Sequence, residues 1–575
     1  MPKTKSKKTR ILGICSDVFI TSAVLLEDGK VIAGAPEERF NRQKLYRGFP
    51  MQAVKYCLKE ARCSLEDIDI VALGWNPGLH IKPSSMRFGQ VLRWRGEHFH
   101  TVPHALLSLA KTTKVDYVEQ SLKQLKNDIK IVYVTHHNSH AANAFFLSPF
   151  KESAILTIDG RGEEDTAGFF VGKGNKIEEL KLVKLPHSLG LFYGAFTDFL
   201  GFAPHSDEWK VMALAARDFP QNKYYEKMKN LVSLNRDGTF ELDLSYFHYY
   251  LNDRQALYAP KMVKLFGPPR IADSAITERH YEIANALQRV SEETVIHMLN
   301  WLHKKTSMEN LVVNGGFFMN SVFNGKIANV TKFKNVFVSS CPDDSGTSLG
   351  AALYAYHHIG GQKKREEQAH NYYGPQFSNG EIKEALDKYK VNYKYIGDIE
   401  KYTARLIAAG KIVGWFQGRM EFGQRALGNR SILADPRDPL MKDKVNKAVK
   451  YRETFRPFAP SILEERVAEY FECDKSARVP FMEKVFLIRS QKRQIIPAVT
   501  HIDGSGRLQT VSKQTNSRFY KLISEFEQIA KVPIVLNTSF NLKGEAIVCS
   551  PTDAIRTFYS CGLDALVLSN YLVAK

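Results

Sequence analysis

The chain has 575 residues, of which 44% are hydrophobic and 25% are charged. This composition is typical of globular proteins, and the length predicts at least two domains. No apolar run approaches the ~20 residues that span a bilayer, so we expect no membrane association. The seven cysteines form no CxxC pair. Because their number is also odd, we expect a cytoplasmic protein without a disulfide framework or zinc-finger chemistry.

Short apolar runs alternate with helical patterns along the chain. Strands are predicted over residues 11–15, 23–33 (two strands with an Asp-Gly turn), 68–73, 131–134, 153–158 and 310–313. Helices are predicted over residues 52–61 and 283–304. This alternation predicts an α/β architecture. The polar stretch 358–370 has the composition of a linker, so we place the domains at 1–365 and 366–575.

Segments 418–430 and 450–460 combine arginines and a lysine with several glycines. Glycine lets backbone N–H groups approach an anion, and the rigid guanidinium fork matches phosphate or carboxylate oxygens. The arginines alternate with aromatic and aliphatic side chains, so we expect them to be half-buried, where an unpaired charge is costly. The pattern predicts a pocket for an activated phosphorylated molecule. A solvated basic loop is the alternative.

Other candidate ligand-binding segments follow predicted strands. His136 and His140 are four residues apart, a spacing that puts two imidazoles on one helical face. A capped helix start is the alternative for this pair alone. Asp159 and the carboxylates at 343–344 are followed by glycines, and two imidazoles with two carboxylates suit Fe(II), Mn(II) or Mg(II). The glycine turn in 314–320 could cradle a nucleotide or be purely structural.

The excess of 80 Lys and Arg over 61 Asp and Glu residues gives a net charge of +19. Such a net positive charge produces an electrostatic field that attracts polyanions. Arg87, Arg93 and Arg95 are interleaved with aromatic residues, including Trp94. This pattern suits nucleic-acid phosphates together with stacked or extruded bases. An ordinary solvated surface is the alternative.

Several motifs occur in a fixed order from about residue 11 to residue 575. They are His136-His-Asn-Ser-His140, Asp159-Gly-Arg-Gly-Glu163, Asp207–Met212, Gly315-Gly316…Asn320, Asp344–Ala352, Arg425–Arg430, Phe455–Pro460 and Leu536–Asn541. Together they resemble the O-carbamoyltransferases of antibiotic and nodulation-factor biosynthesis, including the tobramycin and cephamycin enzymes.

The resemblance implies an α/β protein with two catalytic centres. The N-terminal domain would have the actin-like ATPase (ASKHA) fold of the tRNA threonylcarbamoyl transferase and pass a carbamoyl group to a hydroxyl. The C-terminal domain would be an α/β domain similar to threonylcarbamoyl-adenylate synthases. It would join carbamoyl phosphate and ATP, through carbamate, to give carbamoyl-adenylate.

The resemblance also implies site residues, carried over motif by motif. A divalent metal, iron-like in the family and hence Fe(II), would be held by His136, His140, Asp159 and Asp344, with Mg(II) accompanying ATP. The nucleotide in the transfer domain would contact Gly160, Gly162, Gly315, Gly316 and Asn320. Carbamoyl phosphate and ATP in the C-terminal domain would contact Arg425, Arg430, Lys450, Arg456, Arg507, Asn537 and Ser539. The catalytic residues would be His136, His140 and Lys210, to which we add His205 for the reason given below.

The chain departs from the family pattern at two places. Phe19-Ile20 stands where the family usually has His-Asp, whose histidine is a candidate base for the acceptor hydroxyl. His205 is our candidate substitute, with a surface loop residue as the alternative. Phe317-Phe318 follows the glycine pair where the family prefers small residues.

The net charge of +19 bears on the acceptor. We expect DNA, carbamoylated on the hydroxymethyl group of 5-hydroxymethylcytosine, a kind of modification made by bacteriophages, whose enzyme would act in the host cytoplasm. The acceptor cleft would then include Phe19, Arg87, Arg93, Trp94 and Arg95. The alternatives are a sugar or other natural-product hydroxyl, and a non-enzymatic nucleic-acid-binding protein on the same scaffold. We expect a monomer or homodimer.

Overall fold

The computed structural model describes residues 8–16, 20–76, 130–251, 254–451 and 455–575. Five predicted acceptor-binding residues, Phe19, Arg87, Arg93, Trp94 and Arg95, lie outside the described residues. Their role stays a prediction.

The first sheet is built around three antiparallel strands at the start of the chain. Its strands are β1 (Arg10–Cys15), β2 (Ser22–Glu27), β3 (Lys30–Pro36), β4 (Ile70–Leu73) and β5 (Lys130–Tyr133). They lie in the order β3-β2-β1-β4-β5, with β4 and β5 parallel to β1. The predicted Asp-Gly turn connects β2 and β3. Helices α1 (Glu38–Asn41) and α2 (Met51–Glu60) follow β3.

The second sheet repeats this topology. Its strands are β6 (Glu152–Ile158), β7 (Asp165–Lys173), β8 (Lys176–Lys184), β11 (Asn310–Asn314) and β12 (Asn335–Val338). They lie in the order β8-β7-β6-β11-β12, again with three antiparallel strands followed by two parallel additions. Helices α3 (His136–Phe145) and α10 (Thr347–Leu353) pack together between the sheets, α3 on β6 and α10 on β1. This duplication is the actin-like ATPase fold, which confirms the predicted class.

The remaining elements described in this domain cover the second sheet. They are α4 (Leu189–Phe199), α5 (Glu208–Leu214), α6 (Tyr225–Lys229), β9 (Val232–Leu234), β10 (Phe240–Leu242), α7 (Pro260–Phe266), α8 (Glu278–Thr306) and α9 (Ser321–Val330). The predicted helix 283–304 is part of α8, which starts earlier because Thr277 and His280 form a capping box. Phe192, Phe196 and Leu287 are fully buried in the core between these helices and the sheet.

The C-terminal domain is a mixed sheet flanked by helices. Its strands are β13 (Lys394–Tyr395), β14 (Val413–Phe416), β15 (Arg430–Ala434), β16 (Ala459–Leu463), β17 (Lys484–Leu487), β18 (Ser505–Val511), β19 (Ile534–Ser539), β20 (Ala565–Leu568) and β21 (Tyr571–Ala574). Their order is β13-β21-β20-β14-β15-β19-β16-β18-β17. Its helices are α11 (Asn379–Lys388), α12 (Ile399–Ala408), α13 (Met441–Val445), α14 (Val467–Tyr470), α15 (Ser490–Arg493), α16 (Ser517–Ala530) and α17 (Pro551–Tyr559).

The described residues also form short 3₁₀ and π turns. The 3₁₀ turns are Leu65–Asp67, Leu244–Tyr246, Gly316–Met319, Asp344–Gly346, Glu464–Arg466 and Pro497–Val499, and the π turns are Tyr354–Ile359 and Asn446–Lys450. None of the helices within the described ranges combines the length and apolar character that crossing a bilayer requires.

The two domains are in direct backbone contact. A Cβ atom added to Gly325 of α9 would lie 2.0 Å from the carbonyl oxygen of Val485 on β17, so only glycine allows this approach. Nearby, Nζ of Lys484 donates to the carbonyl oxygen of Val336 at 2.9 Å. Within the predicted linker, Arg365 donates to the carbonyl oxygen of Phe150 at 2.8 Å. The segment is thus attached to the N-terminal domain, and the boundary near residue 365 stays a prediction.

Candidate active site

Four side chains from separate segments converge into one cluster. His136 and His140 lie one turn apart on α3, Asp159 follows β6, and Asp344 begins the 3₁₀ turn after β12. The Nε2 atoms of the two histidines are 3.0 Å apart. Nε2 of His140 lies 3.2 Å from Oδ2 of Asp159 and 3.9 Å from Oδ1 of Asp344. These four residues are the predicted metal ligands, and one donor atom from each lies within 4.8 Å of the others.

Hydrogen bonds outside the cluster orient these side chains towards one another. Nδ1 of His140 lies 2.7 Å from Oδ1 of Asn314, at the end of β11. An amide oxygen only accepts, so Nδ1 donates to it, and Nε2 is the ring nitrogen that faces the cluster. Oδ2 of Asp159 accepts from the backbone N–H of Gly316 at 2.7 Å. Two imidazoles and two carboxylates this close fit a divalent cation, whose charge offsets the repulsion between the lone pairs.

Glu163 holds the start of α3 in place. Its two carboxylate oxygens each lie 3.1 Å from the backbone nitrogen of His136, and Oε1 also accepts from the backbone N–H of Asn76 at 2.6 Å. Burial raises the pKa of Glu163 to about 7, against the effect of these backbone donors. The sequence motif contains this residue, but spacing alone gave it no role.

The predicted nucleotide-binding glycines divide into two groups. Gly160 and Gly316 line the large cavity next to the cluster, whereas Gly162 and Gly315 do not. Gly315 has a φ of 99°, and a Cβ atom there would lie 2.2 Å from the carbonyl oxygen of Ile158. Its glycine is therefore required by the tight turn that brings the neighbouring N–H to Asp159.

Asn320 also lines the cavity, but its side chain is engaged in the fold. Its Oδ1 accepts from the backbone N–H of Phe323 at 3.1 Å and so caps α9. Its Nδ2 donates to Oε1 of Gln288 at 3.0 Å. The two phenylalanines at 317 and 318 are buried in the core of the domain. Their size fills that core, and Phe317 also lines the cavity.

His205 and Lys210 lie on the cavity wall near the cluster. Burial, together with the nearby Arg161 and Arg47 guanidinium groups, lowers the pKa of His205 to about 4. Its imidazole is therefore neutral at pH 7. Nζ of Lys210 lies 2.9 Å from Oδ2 of Asp207.

The C-terminal domain contributes a group of basic and amide side chains to the same cavity. The predicted residues on this wall are Arg425, Lys450, Arg456, Arg507, Asn537 and Ser539. Nζ of Lys450 donates to the carbonyl oxygen of Ser539 at 2.5 Å and to Oδ1 of Asn541 at 2.8 Å. Burial lowers the pKa of Arg425 to about 10, a value at which it stays charged at pH 7.

Arg430 is not brought to this wall. Its guanidinium is fully buried and donates to the carbonyl oxygens of Gln417 at 2.6 Å, Asn429 at 2.9 Å and Pro375 at 3.0 Å. It also stacks on the ring of Phe416, with 3.7 Å between the guanidinium carbon and the ring centre. Arg430 thus secures the loop that carries Arg425, and the structure separates it from the other predicted phosphate ligands.

A single cavity of about 940 Å³ joins the two groups of residues. One part is lined by Asp159, Asp344 and His205, and another by Arg425 and Arg507. The two candidate sites therefore share one volume that both domains enclose.

Comparison with known protein families identifies the chain. Residues 10–353 match the family model described as "Carbamoyltransferase N-terminus", and residues 404–575 match "Carbamoyltransferase C-terminus". The chain belongs to the carbamoyltransferase family. This confirms the predicted O-carbamoyltransferase family and the prediction of an enzyme.

Named relatives of this carbamoyltransferase cover most of its length. Nodulation protein NolNO of Sinorhizobium fredii is 37% identical, over 96% of this chain and 78% of the relative. The 3'-hydroxymethylcephem-O-carbamoyltransferase of Amycolatopsis lactamdurans is 27% identical, over 77% of this chain and 80% of the relative. A solved structure of HypF from T. kodakarensis aligns with a TM-score of 0.32 and 12% identity, over 62% of this chain and 48% of that one.

The sequence-based prediction missed several residues on the cavity wall of this carbamoyltransferase. They include Glu38, Arg39, Lys44, Trp209, Lys442, His501 and Lys543. A signal existed for His501, because it precedes Arg507 in a short turn rich in Gly, Asp and Ser. Trp209 lies within the Asp207–Met212 motif, and the other residues come to the wall through long-range packing, which spacing along the chain does not reveal.

Proposed function

We propose that this carbamoyltransferase makes carbamoyl-adenylate from carbamoyl phosphate and ATP, and transfers the carbamoyl group to a hydroxyl. The observation that carries the proposal is the shared cavity of about 940 Å³. Its C-terminal wall is rich in cations that suit phosphates, and its N-terminal wall holds the histidine and aspartate cluster.

The C-terminal part of the cavity would perform the first half of the reaction. Arg425, Arg456 and Arg507 would bind phosphate oxygens of carbamoyl phosphate and then of ATP, with Mg²⁺ accompanying ATP. Loss of phosphate from carbamoyl phosphate gives carbamate. A carbamate oxygen then attacks the α-phosphorus of ATP and pyrophosphate leaves, which gives carbamoyl-adenylate. Because carbamate decomposes in water, its formation inside the cavity protects it.

The N-terminal part would perform the transfer. His136, His140, Asp159 and Asp344 would hold a divalent metal, with Fe(II) as our proposal. When bound, the metal would neutralise the adenylate phosphate and polarise the carbamoyl carbonyl. Asn314 and Glu163, which bind His140 and the start of α3, would keep the ligands in place.

His205 is our proposed proton acceptor for the hydroxyl. Its imidazole is neutral at pH 7 because burial and two arginines lower its pKa to about 4, and the negative charge of nearby Asp159 opposes this lowering and favours proton acceptance. In the transfer, the acceptor oxygen would bond to the carbamoyl carbon, the bond to the adenylate phosphate would break, and AMP would leave. Lys210, on the same wall, would bind the negative charge of the leaving phosphate.

The identity of the acceptor hydroxyl is a separate part of the proposal. The net charge of +19 supports DNA, with the hydroxymethyl group of 5-hydroxymethylcytosine as the reacting hydroxyl. The printed name of the A. lactamdurans relative supports the alternative, a small-molecule hydroxymethyl group. Both acceptors present the same primary alcohol to the site.

Mass spectrometry tests the proposal directly. The protein would be incubated with ATP, carbamoyl phosphate, Fe(II) or Mg(II), and 5-hydroxymethylcytosine-containing DNA, followed by nucleoside analysis. A gain of one carbamoyl group, absent with Arg425→Ala or His136→Ala and retained with His303→Gln in α8, supports the DNA acceptor. Formation of AMP and pyrophosphate with no DNA product would turn the search to small hydroxymethyl compounds. No AMP on any acceptor would contradict the adenylate route.

A further inference from the structure

His501 lies on the C-terminal wall of the cavity together with Lys442 and Arg507. It precedes β18 in a tight turn, in which its backbone N–H donates to the carbonyl oxygen of Ser505 at 2.8 Å. No step of the proposed reaction described above involves this imidazole. Its position on the same wall as these two cations suggests a role in the first half of the reaction.

The hydrogen bonds of the turn fix the tautomer of His501. Oγ of Ser505 donates to Oδ1 of Asp503 at 2.6 Å, so its hydrogen points to the carboxylate. Nδ1 of His501 lies 3.1 Å from the same Oγ, which is then available only as an acceptor. Nδ1 therefore carries the proton and Nε2 carries the lone pair.

The Nε2 atom is buried and has no hydrogen-bonding partner among the described residues. A buried acceptor without a partner costs free energy, and this cost is recovered when a ligand donates to it. Asp503, Lys442 and Arg507 are the charged groups that act on this imidazole. Burial, with the Arg507 and Lys442 charges, lowers the pKa of His501 to about 4 against the opposing effect of Asp503, so the lone pair is present at pH 7.

We propose that Nε2 of His501 is the general base for the water that hydrolyses carbamoyl phosphate. This inference rests on the proposed function and assigns its first step. The water oxygen bonds to phosphorus, the P–O bond to the carbamoyl group breaks, and carbamate leaves with the electron pair. The proton of the water passes to Nε2, and inorganic phosphate is released.

The chemistry of the proposed reaction indicates that hydrolysis is the step in which a base on this wall would act. Adenylation uses carbamate, which is already an anion and gives up no proton. Proton removal from the acceptor hydroxyl belongs to the other part of the cavity, near His205. Hydrolysis is thus the step on this wall whose nucleophile, water, carries a proton that a general base can take. Bound carbamoyl phosphate also brings negative charge beside Arg507 and Lys442, which raises the basicity of the imidazole when it is needed.

The test separates hydrolysis from adenylation by supplying carbamate directly. Phosphate release is measured with carbamoyl phosphate, and pyrophosphate release is measured with freshly dissolved ammonium carbamate and ATP. His501→Gln should slow the carbamoyl phosphate route by about 100-fold and leave the carbamate route within about twofold. Ser505→Ala, which removes the partner of Nδ1, should slow the first route by about tenfold.

His357→Gln is the matched control, because His357 is also buried but does not line the cavity. It should leave both routes unchanged. An equal loss of rate on both routes in His501→Gln would show that His501 has a structural role, and no loss on either route would show that it has no role. Either result would contradict the inference about His501 but not the proposed function. If the unaltered protein forms no pyrophosphate from carbamate and ATP, the proposed function fails as well.

Discussion

The guanidinium carbon of Arg456 lies 3.6 Å from the ring centre of Trp209. Arg456 belongs to the C-terminal domain and Trp209 to α5 of the N-terminal domain. The indole Nε1 donates to the carbonyl oxygen of Ser206 at 2.8 Å, which fixes the ring under the cation. One predicted phosphate ligand is therefore positioned by the opposite domain.

Replacing Trp209 should weaken binding of carbamoyl phosphate. A desolvated cation–π contact contributes about 1–2 kcal/mol, so Trp209→Ala should raise the KM for carbamoyl phosphate by roughly tenfold. Trp209→Phe keeps an aromatic face and should have a smaller effect. Steady-state kinetics of phosphate release would measure both variants. An unchanged KM in Trp209→Ala would mean that the stack does not position Arg456.

Arg430 and Arg425 should respond differently to the same substitution. Lysine cannot reproduce the fork with which Arg430 binds several carbonyl groups, so Arg430→Lys should lower the free energy of unfolding by about 2 kcal/mol or more. Arg425→Lys should raise the KM for carbamoyl phosphate by roughly tenfold with little change in stability. Thermal denaturation and phosphate-release kinetics on both variants test this. Similar behaviour of the two would contradict the separation seen in the structure.

Asn314 should control metal affinity without being a ligand. Asn314→Ala removes the acceptor of the His140 Nδ1 proton, and losing such a partner typically costs 10–100-fold in metal affinity. Fe(II) or Mn(II) titration with metal analysis of the protein would measure it. Asn310→Ala, at the half-buried start of the same strand, is the control and should bind metal normally. Equal metal content in both variants would count against the cluster as a metal site.

Glu483 should make stability depend on pH. Burial raises its pKa to about 7 from the ordinary 4.5, so between these values the folded protein binds more protons than the unfolded chain. The free energy of unfolding therefore falls as pH rises from 4.5 to 7. Glu483→Gln removes this decrease in the free energy of unfolding. The Tm of the variant should therefore rise relative to that of the unaltered protein between pH 5 and pH 8. Exposed Glu472→Gln should show no such trend, and a trend equal to that of Glu483→Gln would refute the assignment.

The meeting of the two histidines and two aspartates could be predicted from sequence because local rules place these residues. Spacing puts His136 and His140 on one helical face, and the ends of parallel strands gather Asp159 and Asp344 at one edge. The α/β class followed from the alternation of strands and helices. The long helix α8 was also predicted, but it begins earlier than the prediction, after the Thr277 capping box.

The distribution of the arginines could not be predicted in the same way. Arg425 lies in the loop before β15, whereas Arg430 is the first residue of that fully buried strand, yet the sequence around the two arginines is similar. The contact between Trp209 and Arg456 joins residues that are far apart in sequence, and their meeting depends on how the two domains pack. The lone pair of His501 depends on a hydrogen bond between two other side chains. No periodic pattern in the sequence indicates any of these contacts.

The shared cavity has a consequence for mixtures of inactive variants. Arg425→Ala would impair the making of the activated intermediate, and His136→Ala would impair its use. If the intermediate were released into solution, each protein could supply what the other lacks and the mixture would regain activity. Because one volume of about 940 Å³ is lined by both groups of residues, the mixture should remain as inactive as its parts. The complete reaction would then belong to the single molecule, and selection would act on both domains together.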